Sequence, residues 1–498
     1  MNSQPANHRH HPRHLAALAA LAAAALAGCT MAPKYEQPDA QVPANFAHPA
    51  PASADATTTP ADATTAAPAA ADIGWRDFFG DERLRRLITL ALENNRDLRV
   101  AALRAEQVRA QYQIERSGLI PSIGASGAGT RQRTPGDLNA TGRAATSSQY
   151  NIGLGVTAYE LDFFGRVRSL KTAALETYLA TDEGRRAAQL ALIAALAAQY
   201  ILERSADEQH TLAAETLKLV RASNELVKRR HDAGQASELD LRTAETQVYA
   251  AQAALAEHAR QRALAANALA LLVGAPLPTD LPAPAPLGAQ GLRADLPSGL
   301  PSDLLTRRPD ILQAEHALRS ANASIGAARA NFFPSITLTA FGGTASAELD
   351  GLFKTGSGTW NFAPKITLPL FTAGRNRAVL KSAQAAQQIT VAQYEKAVQT
   401  AFREVADALA SRQFLAAQIA AQESRVAAEQ RRHELSDLRY REGVDNYLVV
   451  LTAQQNLYSA QQGLIQARSA GLSNLVGLYK ALGGGWQETT TGQTIANK

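Results

Sequence analysis

Two stretches of this chain, Arg166 to His231 and Arg375 to Tyr440, limit its fold more than any other feature. The second contains neither proline nor glycine and the first contains only Gly184, so each reads as one unbroken helix. At about 1.5 Å per residue each runs on the order of 100 Å, far beyond the helices of a compact globular core. The stretches align without a gap: Gly165 falls on Gly374, Gly234 on Gly443, Tyr249 on Tyr458 and Gly274 on Gly483, all 209 residues apart. The chain is therefore a tandem duplication, and its 498 residues are two halves of one structure rather than a string of independent domains.

Composition removes several function classes. Apolar residues make up 46% and charged residues 19%, with alanine dominant, which argues against disorder for the chain as a whole. The net charge of +5 falls to +3 once Arg9 and Arg13 leave with a leader, and that small, interspersed excess gives no footprint for nucleic acid. Cys29 is the single cysteine, so no disulfide framework or cysteine metal cluster is expected. After the leader, His48, His210, His231, His258, His316 and His433 remain, none at His-x-x-x-His spacing, and no glycine-rich phosphate loop follows a strand. No metal, cofactor or enzymatic activity is expected.

Residues 1–28 read as a signal peptide, a basic start followed by an apolar run, Leu15 to Ala27, of 13 residues. A spanning helix needs about 20. The run ends in Leu26-Ala27-Gly28-Cys29, which resembles the lipobox of bacterial lipoproteins. The resemblance implies cleavage before Cys29, diacylglycerol on its thiol and, with Thr30 in place of aspartate, sorting to the outer membrane. Residues 29–71, rich in alanine, proline and threonine, read as an extended lipidated tether.

The duplicated unit follows. The first repeat is expected over 72–274, a proline-rich crossing over 275–301, the second repeat over 302–485 and a flexible tail over 486–498. Each repeat carries a hairpin, at about 121–164 and about 334–373, with period-two alternation. In the first, Tyr150, Ile152, Leu154, Val156 and Ala158 share one face and Gln149, Asn151, Gly153, Gly155 and Thr157 the other. In the second, Trp360, Phe362, Pro364, Ile366, Leu368 and Leu370 oppose Thr359, Asn361, Lys365 and Thr367. A half-buried strand in a soluble sandwich shows the same alternation. A tryptophan, a phenylalanine and a proline in succession on an outward face suit lipid better, with Trp360 as an interfacial anchor. The lipid face is therefore assigned to Tyr150, Ile152, Leu154, Val156, Trp360, Phe362, Ile366 and Leu368. Four strands cannot close a barrel and open edges are untenable in lipid, so the chain must oligomerise: two copies give eight strands, three give twelve.

Along the long helices, Leu212, Leu219 and Leu226 repeat every seven residues and predict coiled-coil packing. Each helix stops at a glycine, Gly234 or Gly443, that can cap it in the left-handed conformation, and Ser237 reads as the N-cap of the returning helix.

Several of these segments resemble one family. Trp75 to Gly80, Arg307-Arg308-Pro309-Asp310-Ile311, Asn331-Phe332-Phe333-Pro334-Ser335-Ile336, Leu161-Asp162-Phe163-Phe164-Gly165-Arg166 and Tyr440-Arg441-Glu442-Gly443 look like the lipoprotein branch of the TolC-like outer-membrane efflux proteins, the nodulation-protein-T type. The resemblance implies a mixed α and β membrane protein: a homotrimeric 12-stranded β-barrel, four strands per chain, continued by a long α-helical barrel into the periplasm. It implies passive conduction of drugs, solvents or similar small molecules, with a periplasmic adaptor and an inner-membrane pump of the resistance-nodulation-division type as partners.

The same resemblance puts the Gly234 and Gly443 turns at a closing periplasmic tip and makes Tyr440 and Asp240 its gate contacts. The basic residue expected after the second turn is replaced by Asp445, and Val449 and Thr452 stand where some relatives carry carboxylates. Arg439 and Arg441 are the candidate substitutes. Two other functions fit the same sequence, a duct for type I protein secretion and a non-conducting, lipid-anchored coiled-coil stalk.

Overall fold

The computed structural model describes residues 30–39, 43, 69–296 and 301–490. Cys29 and the signal peptide lie outside these residues. The chain divides into two compact units, one formed by Met1–Pro38, Ala105–Thr181 and Ala314–Tyr394, the other by Asp39–Arg104, Asp182–Gln313 and Glu395–Lys498.

The duplication is visible element by element. In the first half α1 (Glu82–Asn94) and α2 (Arg96–Ser117) lead into β1 (Ile123–Thr134) and β2 (Ala145–Leu161), followed by α3 (Arg166–Asp232) and α4 (Glu238–Val273). In the second half α5 (Pro301–Arg307) and α6 (Pro309–Ala330) lead into β3 (Ser335–Ser346) and β4 (Gly358–Thr367), followed by α7 (Arg375–Arg441) and α8 (Tyr447–Ala481). Helices α3 and α7 both contain 67 residues, as the absence of helix breakers requires.

The sheet-bearing unit holds one antiparallel sheet in the order β1-β2-β3-β4, so the two hairpins join along β2 and β3 although the whole α3–α4 excursion separates them in sequence. Two expectations are corrected here. The alternation of β2 does not continue to Ala158: between Val156 and Tyr159 the register shifts, Ala158 sits at φ 51°, and Tyr159 and Leu161 take the face of Leu338 and Ile336. One extra residue bulges, which re-aims every later side chain. Leu368 falls beyond β4, because the ladder ends at Ser335 opposite Thr367 and Pro334, next on β3, has no N–H to continue it.

The same unit binds part of the segment expected to be an extended tether. Residues 31–37 lie along α6: Arg329 donates to the Met31 carbonyl at 3.3 Å, Asn322 to the Pro33 carbonyl at 2.8 Å, and the Tyr35 hydroxyl to Glu315 at 3.2 Å. Gln37 donates to the Tyr394 hydroxyl at 2.8 Å. Averaging composition over the whole tether hides these few anchoring side chains.

In the helical unit the core forms around Trp75, Phe78, Phe79, Leu84, Leu87 and Ile88, all at most 2% exposed. Phe78 stacks on Tyr479 with ring centroids 3.9 Å apart, the Tyr479 hydroxyl donates to the Ile73 carbonyl at 2.6 Å, and the Tyr200 hydroxyl donates to Asp81 at 2.7 Å. Burial pushes both phenols far above their ordinary range. The expected tail is also corrected in part: Trp75 and Arg76 donate their N–H groups to the carbonyls of Gln487 and Glu488, and Arg76 pairs with the Glu488 carboxylate at 2.6 Å. This pairing satisfies the first two N–H groups of the short helical turn Trp75–Phe78, which have no acceptor within the helix.

Candidate functional site

Two places in the fold carry functional expectations, the paired turns of the helical unit and the two faces of the sheet. They lie in different units and are described separately.

At the first turn α3 ends with Gly234 at φ 72°, donating to His231 at 2.8 Å while Gln235 donates to Arg230 at 2.7 Å. At the second, Gly443 at φ 76° donates to Tyr440 at 3.1 Å while Val444 donates to Arg439 at 2.9 Å. Both are Schellman closures, and neither glycine has a neighbour that a Cβ would meet, so the left-handed backbone alone selects glycine. The returning helices start on matched caps. Ser237 and Asp240 form a capping box at α4, and the Asn446 side chain accepts from Val449 N–H at 3.3 Å at α8. Asn446 is the counterpart of Ser237 at the 209-residue offset, which is the signal that identifies it.

The candidate gate residues are held within one chain. Asp240 accepts from the Ser237 N–H and hydroxyl at 3.2 and 2.8 Å. Tyr440 is 7% exposed, in an apolar cluster with Val227, Ala244, Tyr447, Val450 and Leu451. No hydrogen bond joins Asp240 to Tyr440 among the described residues. Arg439 makes a two-pronged pair with Asp445 at 2.7 and 3.1 Å, which holds the Asp445 carboxyl below its usual range, and Arg441 pairs with Asp437 at 2.8 Å. Burial pushes the Tyr447 phenol up, and its hydroxyl lies 3.4 Å from that of Ser223. Arg230, not singled out in the sequence, lies over the Tyr440 ring at 4.4 Å and donates to the carbonyls of Tyr440 and Arg441 at 3.4 and 3.3 Å.

The sheet has two chemically distinct faces. Residues directly opposite on antiparallel strands share a face. Val156, Ala340 and Phe362 form one row, Leu154, Gly342 and Trp360 the next, and Ile336 and Ile366 a third, so the apolar side chains of both hairpins fall together. Ile152 and Tyr150 continue that face opposite Thr344 and Ser346. Trp360 is 81% exposed and Phe362 60%. The opposite face carries Ser126, Asn151, Thr339, Thr359, Asn361 and Lys365 with several glycines. Its one large apolar side chain at paired positions is Phe341, whose ring lies against β2 so closely that a Cβ on Gly153 would come within 2.6 Å of it.

The profile of the outer membrane efflux protein family matches residues 87–275 and again 300–484, once for each half. The chain belongs to the outer membrane efflux protein family. Among its relatives, "Toluene efflux pump outer membrane protein TtgC" of Pseudomonas putida is 48% identical over 465 residues, 93% of this chain and 94% of the relative. "Antibiotic efflux pump outer membrane protein ArpC" of Pseudomonas putida matches at the same identity and coverage. The crystal structure of the open state of the Neisseria gonorrhoeae MtrE outer membrane channel superposes with a TM-score of 0.84 at 45% identity, over 93% of this chain and all of that one. As a member of this family the chain is an outer-membrane transport protein of an efflux system.

Proposed function

We propose that this chain is the outer-membrane duct of a tripartite efflux system, passing small apolar or amphiphilic toxic compounds from an inner-membrane pump and a periplasmic adaptor to the exterior. In this reading three copies close a 12-stranded barrel, with each chain's β4 pairing to the next chain's β1. The observation that carries it is the four-stranded sheet, apolar on one face and polar on the other, whose outer edges along β1 and β4 have no strand partner among the described residues. Strands of 12, 17, 12 and 10 residues are long enough for tilted barrel strands, which need about 9–11. Unpaired edges of that length are not stable in lipid, so closure has to come from further copies.

Relatives named for toluene and antibiotic efflux support the substrate class. The pump is of the resistance-nodulation-division type in this reading, and the duct itself selects little. The Gly234 and Gly443 turns form its periplasmic tip, with Asp240, Tyr440, Arg439, Arg441 and Asp445 around the closure. Cys29 carries the lipid that accompanies the barrel in the membrane.

The mass of the detergent-extracted complex tests the assembly. Three copies are expected; a stable dimer or monomer overturns the 12-stranded barrel.

A further inference from the structure

We propose that Arg230 is the latch that ties the second tip turn to the first, and that its release frees the α7–α8 turn to move; this rests on the duct reading above. Its guanidinium spans both turns, lying 4.4 Å from the Tyr440 ring centroid and donating to the carbonyls of Tyr440 and Arg441. Those carbonyls are the last of α7, which lack partners within the helix and sit at its negative end. One cation therefore meets the Arg441 carbonyl, the Tyr440 carbonyl that also accepts from the Gly443 N–H, and an aromatic face together.

The duplication explains why this arginine reaches across and its counterpart does not. Arg230 corresponds to Arg439 at the 209-residue offset, and both follow the same helix into the same glycine turn. Arg439 is held inside its own turn by Asp445 at 2.7 and 3.1 Å. The position corresponding to Asp445 in the first turn is Ala236, which offers no carboxylate. Arg230 makes no ion pair among the described residues and finds its partners on the neighbouring turn. One turn is self-contained, and the link between the two depends on the arginine of the other.

Asp240 and Tyr440 are already committed, to the α4 cap and the buried apolar cluster respectively. Among the described residues, Arg230 supplies the polar connection between the ends of α3 and α7.

Purified complexes of wild type, Arg230→Ala, Ala236→Asp and the double variant are compared in planar bilayers, with thermal stability of the oligomer measured alongside. Ala236→Asp keeps Arg230 but supplies the carboxylate that Asp445 provides in the other turn, drawing the latch back. The latch predicts that each single variant raises the open fraction several-fold, that the double variant goes no further than Arg230→Ala alone, and that oligomer stability is unchanged. Should Arg230→Ala fail to assemble, Ala236→Asp carries the test. Variants that conduct like a conducting wild type sink the latch and leave the duct standing, as does full additivity of the two substitutions. Absence of current from every protein, wild type included, sinks the duct reading and the latch with it.

Discussion

The Asp240 carboxylate accepts from both the backbone N–H and the hydroxyl of Ser237, at 3.2 and 2.8 Å, and the Ser237 hydroxyl accepts in turn from the Asp240 N–H at 3.1 Å. A residue expected to hold the closing tip is thus also the second half of a helix cap. Ser237→Ala and Asp240→Ala each remove part of the box and cost about 1 kcal/mol at the start of α4. Asp240→Ala combined with Tyr440→Phe is expected to raise single-channel conductance. Since the Tyr440 hydroxyl bonds nothing in one chain among the described residues while its ring lies under Arg230, an effect of Tyr440→Phe that persists in an Arg230→Ala background reports a contact between chains. Unchanged conductance in the double variant removes both residues from the gate.

The Arg439 and Asp445 pair gives the tip a defined pH response. Hydrogen bonds from Arg439 depress the Asp445 pKa, so the pair is intact above the ordinary aspartate value of about 3.9 and is lost only as pH falls through the depressed value. Conductance is expected to hold steady on acidification through the ordinary carboxylate range and to rise below it, while Asp445→Asn is raised at every pH. A wild-type transition near neutrality would assign the response to another group.

The two sheet faces make opposite predictions for thiol chemistry. Phe341→Cys and Asn361→Cys place a thiol on the polar face, Phe362→Cys on the apolar one, where register puts Phe341 opposite Asn361 and Phe362 opposite Ala340. A charged, membrane-impermeant thiol reagent is expected to label the first two in intact cells and to spare the third. Labelling of Phe362→Cys with sparing of Asn361→Cys would turn the barrel inside out.

Much of this fold was legible because it depends on local rules. The absence of proline, and of any glycine but Gly184, dictates α3 and α7, the left-handed caps dictate Gly234 and Gly443, and period-two alternation dictates most of β2 and β4. What was hidden depends on pairing. The bulge at Ala158 exists only in the register of β2 against β3, and the early end of β4 reflects Pro334 on another strand. Docking of residues 31–37 rests on side chains of α6 some 300 positions away, such as Arg329 against Met31 at a separation of 298. Arg230 was hidden for a different reason: its hydrogen-bond partners are backbone carbonyls, which leave no trace in residue identity. Comparing Arg439 with Asp445, and Arg230 with Ala236, across the repeat would have exposed it.

Anchorage separates into two contributions. Cys29→Ser is expected to abolish acylation, seen as loss of the lipid mass on the N-terminal peptide, while oligomers still partition into the outer-membrane fraction through the sheet. One acyl chain binds membranes only marginally, but the diacylglycerol expected on Cys29 carries two and would anchor stably, so retention of the unacylated variant reports the barrel alone. Soluble monomers of this variant would place the anchorage in the lipid instead.

The most direct test of the account is the current carried by the purified, detergent-extracted complex in a planar bilayer. A complex of three chains that shows small, gated channels, enlarged by substitution at the tip, is the predicted result. Assembled complexes that pass no current, even with Arg230 and Asp240 replaced, would contradict the duct and leave a non-conducting stalk.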